Sequence, residues 1–143
     1  LLRQPPMRAL IVEDEFVSRR LLTRAVEPFA EVDIAADGLE AVEAFSAARQ
    51  AGQPYDLIFL DFMMPRLNGQ DALRQIRRLE RAAGLKLGKG AKIVIATALS
   101  DARTVMNAFR EEANAFMAKP IKQDEVRRVL GELGLVARLA PTG

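Results

Sequence analysis

Four apolar runs of this sequence each end in a side chain that could do chemistry. Glu13-Asp14-Glu15 follows "ALIV", Asp61 follows "LIFL", Thr97 follows "IVIA", and Lys119-Pro120 follows "AFMA". An ionisable group beside a core is costly unless something pairs with it. If these ends meet, two or more carboxylates lie within a few ångströms, and their repulsion raises at least one pKa unless a cation intervenes. Mg²⁺ takes oxygen ligands, keeps several waters and relieves such repulsion. With an ammonium from Lys119 and a hydroxyl donor from Thr97, the set suits an incoming phosphoryl group, which spreads negative charge and needs a metal.

Each role follows from the residue's chemistry. Asp61 is the candidate nucleophile, forming an acyl phosphate by in-line attack. Asp14 would bind Mg²⁺ directly and Glu13 directly or through water, with Asp61 and the backbone carbonyl oxygen of Met63 reaching the same ion. Lys119 and Thr97 would hold phosphoryl oxygens in the product. Pro120 fixes the backbone after Lys119, and a cis Lys119–Pro120 bond would aim that lysine inward. Taken singly, each signal has an ordinary explanation. An Asp after a strand caps a turn, a Glu-Asp pair offsets a helix dipole, Thr97 favours β structure, and Lys-Pro is solvated loop. Their joint occurrence at four strand ends favours a site.

For these ends to meet, the runs that carry them must be parallel strands. The pattern predicts strands at about 8–13, 32–36, 56–61, 91–97 and 115–118, each followed by a helix, at about 17–27, 38–50, 70–83, 101–112 and 122–134. The first helix presents Val17, Leu21 and Ala25 with Leu22, Val26 and Phe29 beside them, until Pro28 ends it. Leu39, Val42 and Phe45 do the same for the second helix, and Ala72, Leu73, Ile76 and Leu79 for the third. Asp101 is the expected N-cap of the fourth, whose apolar positions are Val105, Met106 and Phe109. Five strands alternating with five helices argue for a doubly wound α/β fold, a parallel sheet covered on both faces. Continuously apolar strands fit burial on both sides. Ligands in such sheets bind at the carboxyl ends of the strands. Pro65 and Gly69 shape the loop that follows Asp61.

The totals exclude several chemistries. At 143 residues, half of them apolar and 28% charged, the sequence is one globular domain by length. It has no cysteine, so disulfides and thiol nucleophiles are excluded, and no histidine, so a Ser-His-Asp triad or a phosphohistidine carrier is excluded too. A net charge of +2 is poor support for nucleic acid. The basic stretch from Arg74 to Lys92 lacks interleaved aromatics and reads as charge on a solvated helix, and "GLKLGKG" is not a Walker loop. No membrane span or signal peptide is visible, which favours the cytoplasm. Leu1 to Pro6 reads as a leader or expression remnant with Met7 a natural start, residues 7–135 as the domain, and 136–143 as a short tail.

These residues resemble the receiver domain of bacterial two-component response regulators, of the chemotaxis type. The resemblance covers about residues 7 to 135 and rests on "LIVEDE", "DFMMPRLNG", "ATA" around Thr97 and "AFMAKP". It implies a flavodoxin-like five-stranded parallel sheet in order 2-1-3-4-5, with two helices on one face and three on the other. It implies phosphoryl transfer from a histidine of a sensor kinase or phosphotransfer protein onto Asp61, with Mg²⁺ as cofactor. Thr97 would then move towards the phosphoryl group and Phe116, three residues before Lys119, would rotate inward as the aromatic switch. That couples the site to the face of the fourth helix, fifth strand and fifth helix, where a downstream protein target docks; a phosphorylation-dependent dimer is also compatible. In this family the side chains two residues beyond the acceptor and two beyond the threonine tune self-dephosphorylation. Here they are Met63 and Leu99, both apolar, which implies a long-lived phosphoryl state.

The protein therefore reads as a signalling module that catalyses only its own phosphorylation and dephosphorylation, free-standing rather than cut from a larger regulator. One alternative is a Mg²⁺-dependent phosphatase of the haloacid dehalogenase type, but that chemistry needs a second acid where Met63 stands. Another is a flavodoxin-like cofactor binder, whose phosphate Glu13-Asp14-Glu15 would repel.

Overall fold

The structure is a computed structural model that describes residues 7–63, 68–86 and 88–136. Pro65, the leader at 1–6, and the tail beyond residue 136 lie outside the described residues. The strands are β1 (Met7–Val12), β2 (Ala30–Ala35), β3 (Leu57–Asp61), β4 (Lys92–Ala98) and β5 (Ala115–Lys119). They alternate with α1 (Phe16–Val26), α2 (Gly38–Gln50), α3 (Gly69–Ala82), α4 (Ala102–Phe109) and α5 (Gln123–Glu132). All four strand pairings are parallel, in the order β2-β1-β3-β4-β5. Each strand start expected from the apolar pattern falls within two residues of the observed one.

Strand periodicity sorts the core into two layers, because successive side chains point to opposite faces. Leu10, Val12, Ile58, Leu60, Ile93 and Ile95 pack with α2, α3 and Phe109 of α4. Ala9, Ile11, Leu57, Phe59, Val94 and Met117 pack with α1 and α5. This is the two-and-three distribution of helices, and it leaves β3 buried along its whole length. Three helices end in the same way. Gly52, Gly84 and Gly134 adopt positive φ, and the next residue's N–H reaches back five residues, as from Leu85 to the Glu80 C=O at 3.0 Å.

Differences from the expected pattern lie on the helices. Val17 and Leu39 are exposed at 60% and 43%, so neither belongs to the buried face of its helix. Asp101 precedes α4 but makes no capping bond: a 3₁₀ turn over Leu99–Asp101 leads into the helix and gives Asp101 helical dihedrals instead of extended ones. α4 stops at Phe109, three residues earlier than expected. Arg77, read as solvated charge, is largely buried. It donates to Glu80, to the C=O groups of Ala91 and Glu112, and to Asn114, tying α3 to the loops before β4 and β5. No helix among the described residues is long and apolar enough to cross a membrane.

Candidate functional site

Parallel pairing brings the four chemistry-bearing ends to one edge of the sheet. Glu13 directly follows β1, and its N–H still reaches the Ala35 C=O at 3.2 Å, so the strand carries it inward. Glu13 is fully buried. Its carboxylate Oε1 accepts the Glu15 N–H at 3.1 Å. Glu15 in turn caps α1, accepting the N–H groups of Val17 at 3.0 Å and Ser18 at 2.7 Å, which holds its carboxyl below the usual range. The exposed Asp14 is thus fixed between a buried anchor and a helix cap. Composition rules for caps favour Ser, Thr, Asp and Asn, so the part played by Glu15 had no clear signal in the sequence.

Asp61 is the last residue of β3, in register with Ala96, and is 1% exposed. Its Oδ1 accepts the Met63 N–H at 2.9 Å. Its Oδ2 accepts from Lys119 Nζ at 3.0 Å. Lys119 ends β5, and its side chain spans β4 and β3 to stand 3.2 Å from both carboxylate oxygens of Glu13 as well. Only Oε1 meets that ammonium in hydrogen-bonding geometry; Oε2 is buried with no hydrogen-bond partner among the described residues. The Lys119–Pro120 peptide bond is cis. Thr97, 1% exposed on β4, buries a hydroxyl that likewise has no hydrogen-bond partner among the described residues. Phe116 is half-buried on β5 beside Ile95 and packs on the α2–α3–α4 layer. The side chains of Met63 and Leu99 are exposed, at 60% and 73%.

Three carboxylates gather here beside one ammonium, which pairs with two of them, so the electrostatics are unbalanced. Burial, then the charge of Asp61, pushes the Glu13 carboxyl up to about 7, against the opposing pull of Lys119. For Lys119, burial alone would lower the pKa, but the hydrogen bonds and charges of Asp61 and Glu13 outweigh it and raise it. One carboxylate oxygen from each of Glu13, Asp14 and Asp61 lies within 4.8 Å of the others. All-oxygen donors, excess negative charge and a buried Glu13 Oε2 that accepts no hydrogen bond among the described residues together fit a hard divalent cation. Of the residues expected at the site from the strand-end pattern, Glu13, Asp14, Asp61 and Lys119 are joined by these contacts, and Thr97 sits on β4 one residue beyond the partner of Asp61. Gly69 has a tighter role than loop shaping. A Cβ there would stand 2.5 Å from the Asp61 carbonyl oxygen, so only glycine lets α3 start this close to the acid.

A family model described as the response regulator receiver domain matches residues 9–130. The sequence is 33% identical over 125 residues to the chemotaxis protein CheY of Treponema pallidum, covering 85% of this chain and 78% of that one. It is 30% identical over 128 residues to the osmosensing histidine protein kinase of Saccharomyces cerevisiae, covering 88% of this chain but 10% of the kinase. It thus spans about a tenth of the histidine kinases that it matches. Among solved structures, it is 30% identical to the receiver domain of a sensor histidine kinase from Pseudomonas aeruginosa, which holds a magnesium ion in its active-site cleft. That match covers 91% of this chain and 99% of the other, with a TM-score of 0.69. A response regulator of Thermotoga maritima, in complex with Mg²⁺ and beryllofluoride, is also 30% identical at a TM-score of 0.69, covering 89% and 98%.

Proposed function

The chain belongs to the response regulator receiver domain family, the phosphoacceptor modules of two-component signalling, and from that premise we propose that Asp61 is its phosphoacceptor. The observation that carries this assignment is the Lys119 ammonium held between Asp61 and Glu13, beside three carboxylates gathered within 4.8 Å.

The residues divide the work by their chemistry. An Asp61 carboxylate oxygen attacks phosphorus in line; the P–O bond forms as the bond from phosphorus to the donor nitrogen breaks, and the donor imidazole leaves with that electron pair. Lys119 and Thr97 hold phosphoryl oxygens, the former by charge and the latter by a hydroxyl that is already buried and unpartnered. Glu13, Asp14 and Asp61, with the Met63 carbonyl oxygen, would hold Mg²⁺, which supplies neutralisation of the carboxylates and of the incoming phosphoryl charge. Thr97 drawn to the phosphoryl group leaves room for Phe116, and the α4–β5–α5 face changes shape for a downstream protein. The donor is a sensor kinase or phosphotransfer protein, the setting cytoplasmic, and residues 7–135 the unit that carries the activity. Met63 and Leu99 offer no side-chain group to orient an attacking water, so the acyl phosphate persists. The only reactions assigned are the module's own phosphorylation and dephosphorylation, because Met63 stands where a phosphatase of the haloacid dehalogenase type needs its second acid.

Incubation with Mg²⁺ and acetyl phosphate, followed by intact-mass measurement, tests the assignment. One added phosphoryl group is expected, absent in Asp61→Asn and without Mg²⁺. An unchanged wild-type mass, or an Asp61→Asn variant that is still phosphorylated, would sink it.

A further inference from the structure

α4 is the helix least anchored in the fold. Phe109 is its one buried residue, whereas every other helix buries three or more. Met106 is 40% exposed, and the start of the helix lacks a capping bond from Asp101. Phe109 stands edge-to-face on Phe62, with ring centroids 5.0 Å apart at 86°, and the Arg74 guanidinium of α3 lies over its ring at 5.7 Å. The buried anchor of α4, which packs in the core layer of α2 and α3, therefore also touches the residue that follows Asp61.

Phe62 has little freedom to move independently of the acid. Its N–H is held by the Ala96 C=O at 3.0 Å, next to Thr97. Its ring lies against α3 so closely that a Cβ at Gly69 would be 2.6 Å from Cδ1. The hydrogen bond from the Met63 N–H to Asp61 Oδ1, at 2.9 Å, closes a turn with Phe62 at its centre. Phosphorylation converts the Asp61 carboxylate into a mixed anhydride whose negative charge lies on the phosphoryl oxygens, so the carboxyl oxygen that accepts from Met63 is no longer ionised, and a hydrogen bond to an ionised acceptor is about twice as strong as one to a neutral acceptor. Phosphorylation thus loosens the bond that sets the Phe62 backbone.

We propose that Phe62 and Phe109 form a second link between the phosphoacceptor and α4, separate from the Thr97 and Phe116 route. The turn at 61–63 moves the Phe62 ring, and the ring carries the C-terminal end of α4 with it. Thr97 and Phe116 act on the β4–β5 side of that helix. The inference rests on Asp61 being the phosphoacceptor and deepens the regulation of that site.

The test combines intact mass with amide hydrogen exchange across residues 102–109, before and after treatment with Mg²⁺ and acetyl phosphate. It is applied to the wild type, Phe62→Leu, Phe109→Leu and the double variant. The wild type should gain one phosphoryl group and change its α4 exchange rates. Each single variant should still gain the phosphoryl group but lose about fivefold or more of the α4 response. The double variant should be no worse than either single one, as expected of a pair acting as a unit. Phe109→Leu leaves the acceptor turn intact, so it reports on the link even if Phe62→Leu folds poorly. A wild-type α4 response retained in phosphorylated Phe109→Leu overturns the link. So does a phosphorylated wild type with no α4 response. A wild type that takes no phosphoryl group instead overturns the phosphoacceptor reading, and the link with it.

Discussion

Replacing Gly69 by alanine probes how closely the acceptor is built. A Cβ at this position would meet the Asp61 carbonyl oxygen at 2.5 Å, Phe62 Cδ1 at 2.6 Å and Phe62 Cα at 2.7 Å. Ordinary contact begins at 3.4 Å, so the turn or the start of α3 must give by 3.4 − 2.5, about 0.9 Å. Two of the three contacts are backbone atoms, and no change of side-chain rotamer relieves them. Overpacking of this kind costs roughly 1–3 kcal/mol, offset by up to about 1 kcal/mol from the better helix propensity of alanine. The fold should survive with Tm lowered by a few degrees. Function should suffer more, because a misplacement of about 1 Å at a reacting group costs on the order of 10²-fold in rate. The assay is the rate of phosphoryl incorporation from acetyl phosphate at saturating Mg²⁺, followed by intact mass, with Tm measured alongside. A Gly69→Ala protein that is phosphorylated within about twofold of the wild-type rate would refute the reasoning.

Three further outcomes are expected. Glu13 is raised from 4.5 to about 7 in the folded protein, so its contribution is full below pH 4.5 and is lost as pH rises through 7. Metal-free Tm should therefore fall between about pH 5 and pH 8, the fall should flatten in Glu13→Gln, and the Tm gain from added Mg²⁺ should grow with pH. Removing the Glu80 side chain takes the counter-charge from the Arg77 guanidinium, 2.6 Å away, and the acceptor from the Ala91 N–H, 2.7 Å away. Glu80→Ala should lose roughly 3–5 kcal/mol in urea unfolding while phosphorylation persists, since the pair sits at the opposite end of the sheet; a loss under about 1 kcal/mol would contradict the buried-pair account. Finally, Met63→Asn or Leu99→Asn should shorten the lifetime of the phosphorylated state, measured as mass loss over time after desalting. Equal lifetimes in the variants and the wild type would remove the water-orientation argument.

The strands were legible because β1, β3 and β4 are buried on both faces, which leaves an unbroken apolar run for each. The site was legible for a related reason. Glu13 and Asp61 are ionisable groups set directly against two of those runs, Lys119 ends β5, and parallel topology then forces them together. What could not be seen depends on distance. Arg77 and Arg78 are the same residue type one position apart, yet only Arg77 faces Glu80, Ala91 and Asn114. The Phe62–Phe109 contact joins residues 47 positions apart on different elements, so no local pattern announces it. Asp101 looked like a cap because composition cannot register the 3₁₀ turn that changes its dihedrals. Glu15 was read as one more acid, whereas its side chain ends a strand-to-helix turn and its N–H holds Glu13.

The central claim is that one carboxylate, at the end of β3, carries the phosphoryl group. Borohydride reduces an aspartyl phosphate to homoserine and leaves free aspartates unchanged, so reduction after phosphorylation marks the acceptor permanently. Peptide mapping of the reduced protein should place homoserine at residue 61 alone, and none should form in Asp61→Asn. Homoserine at residue 14, at any other aspartate, or at no position in a phosphorylated sample would contradict the account.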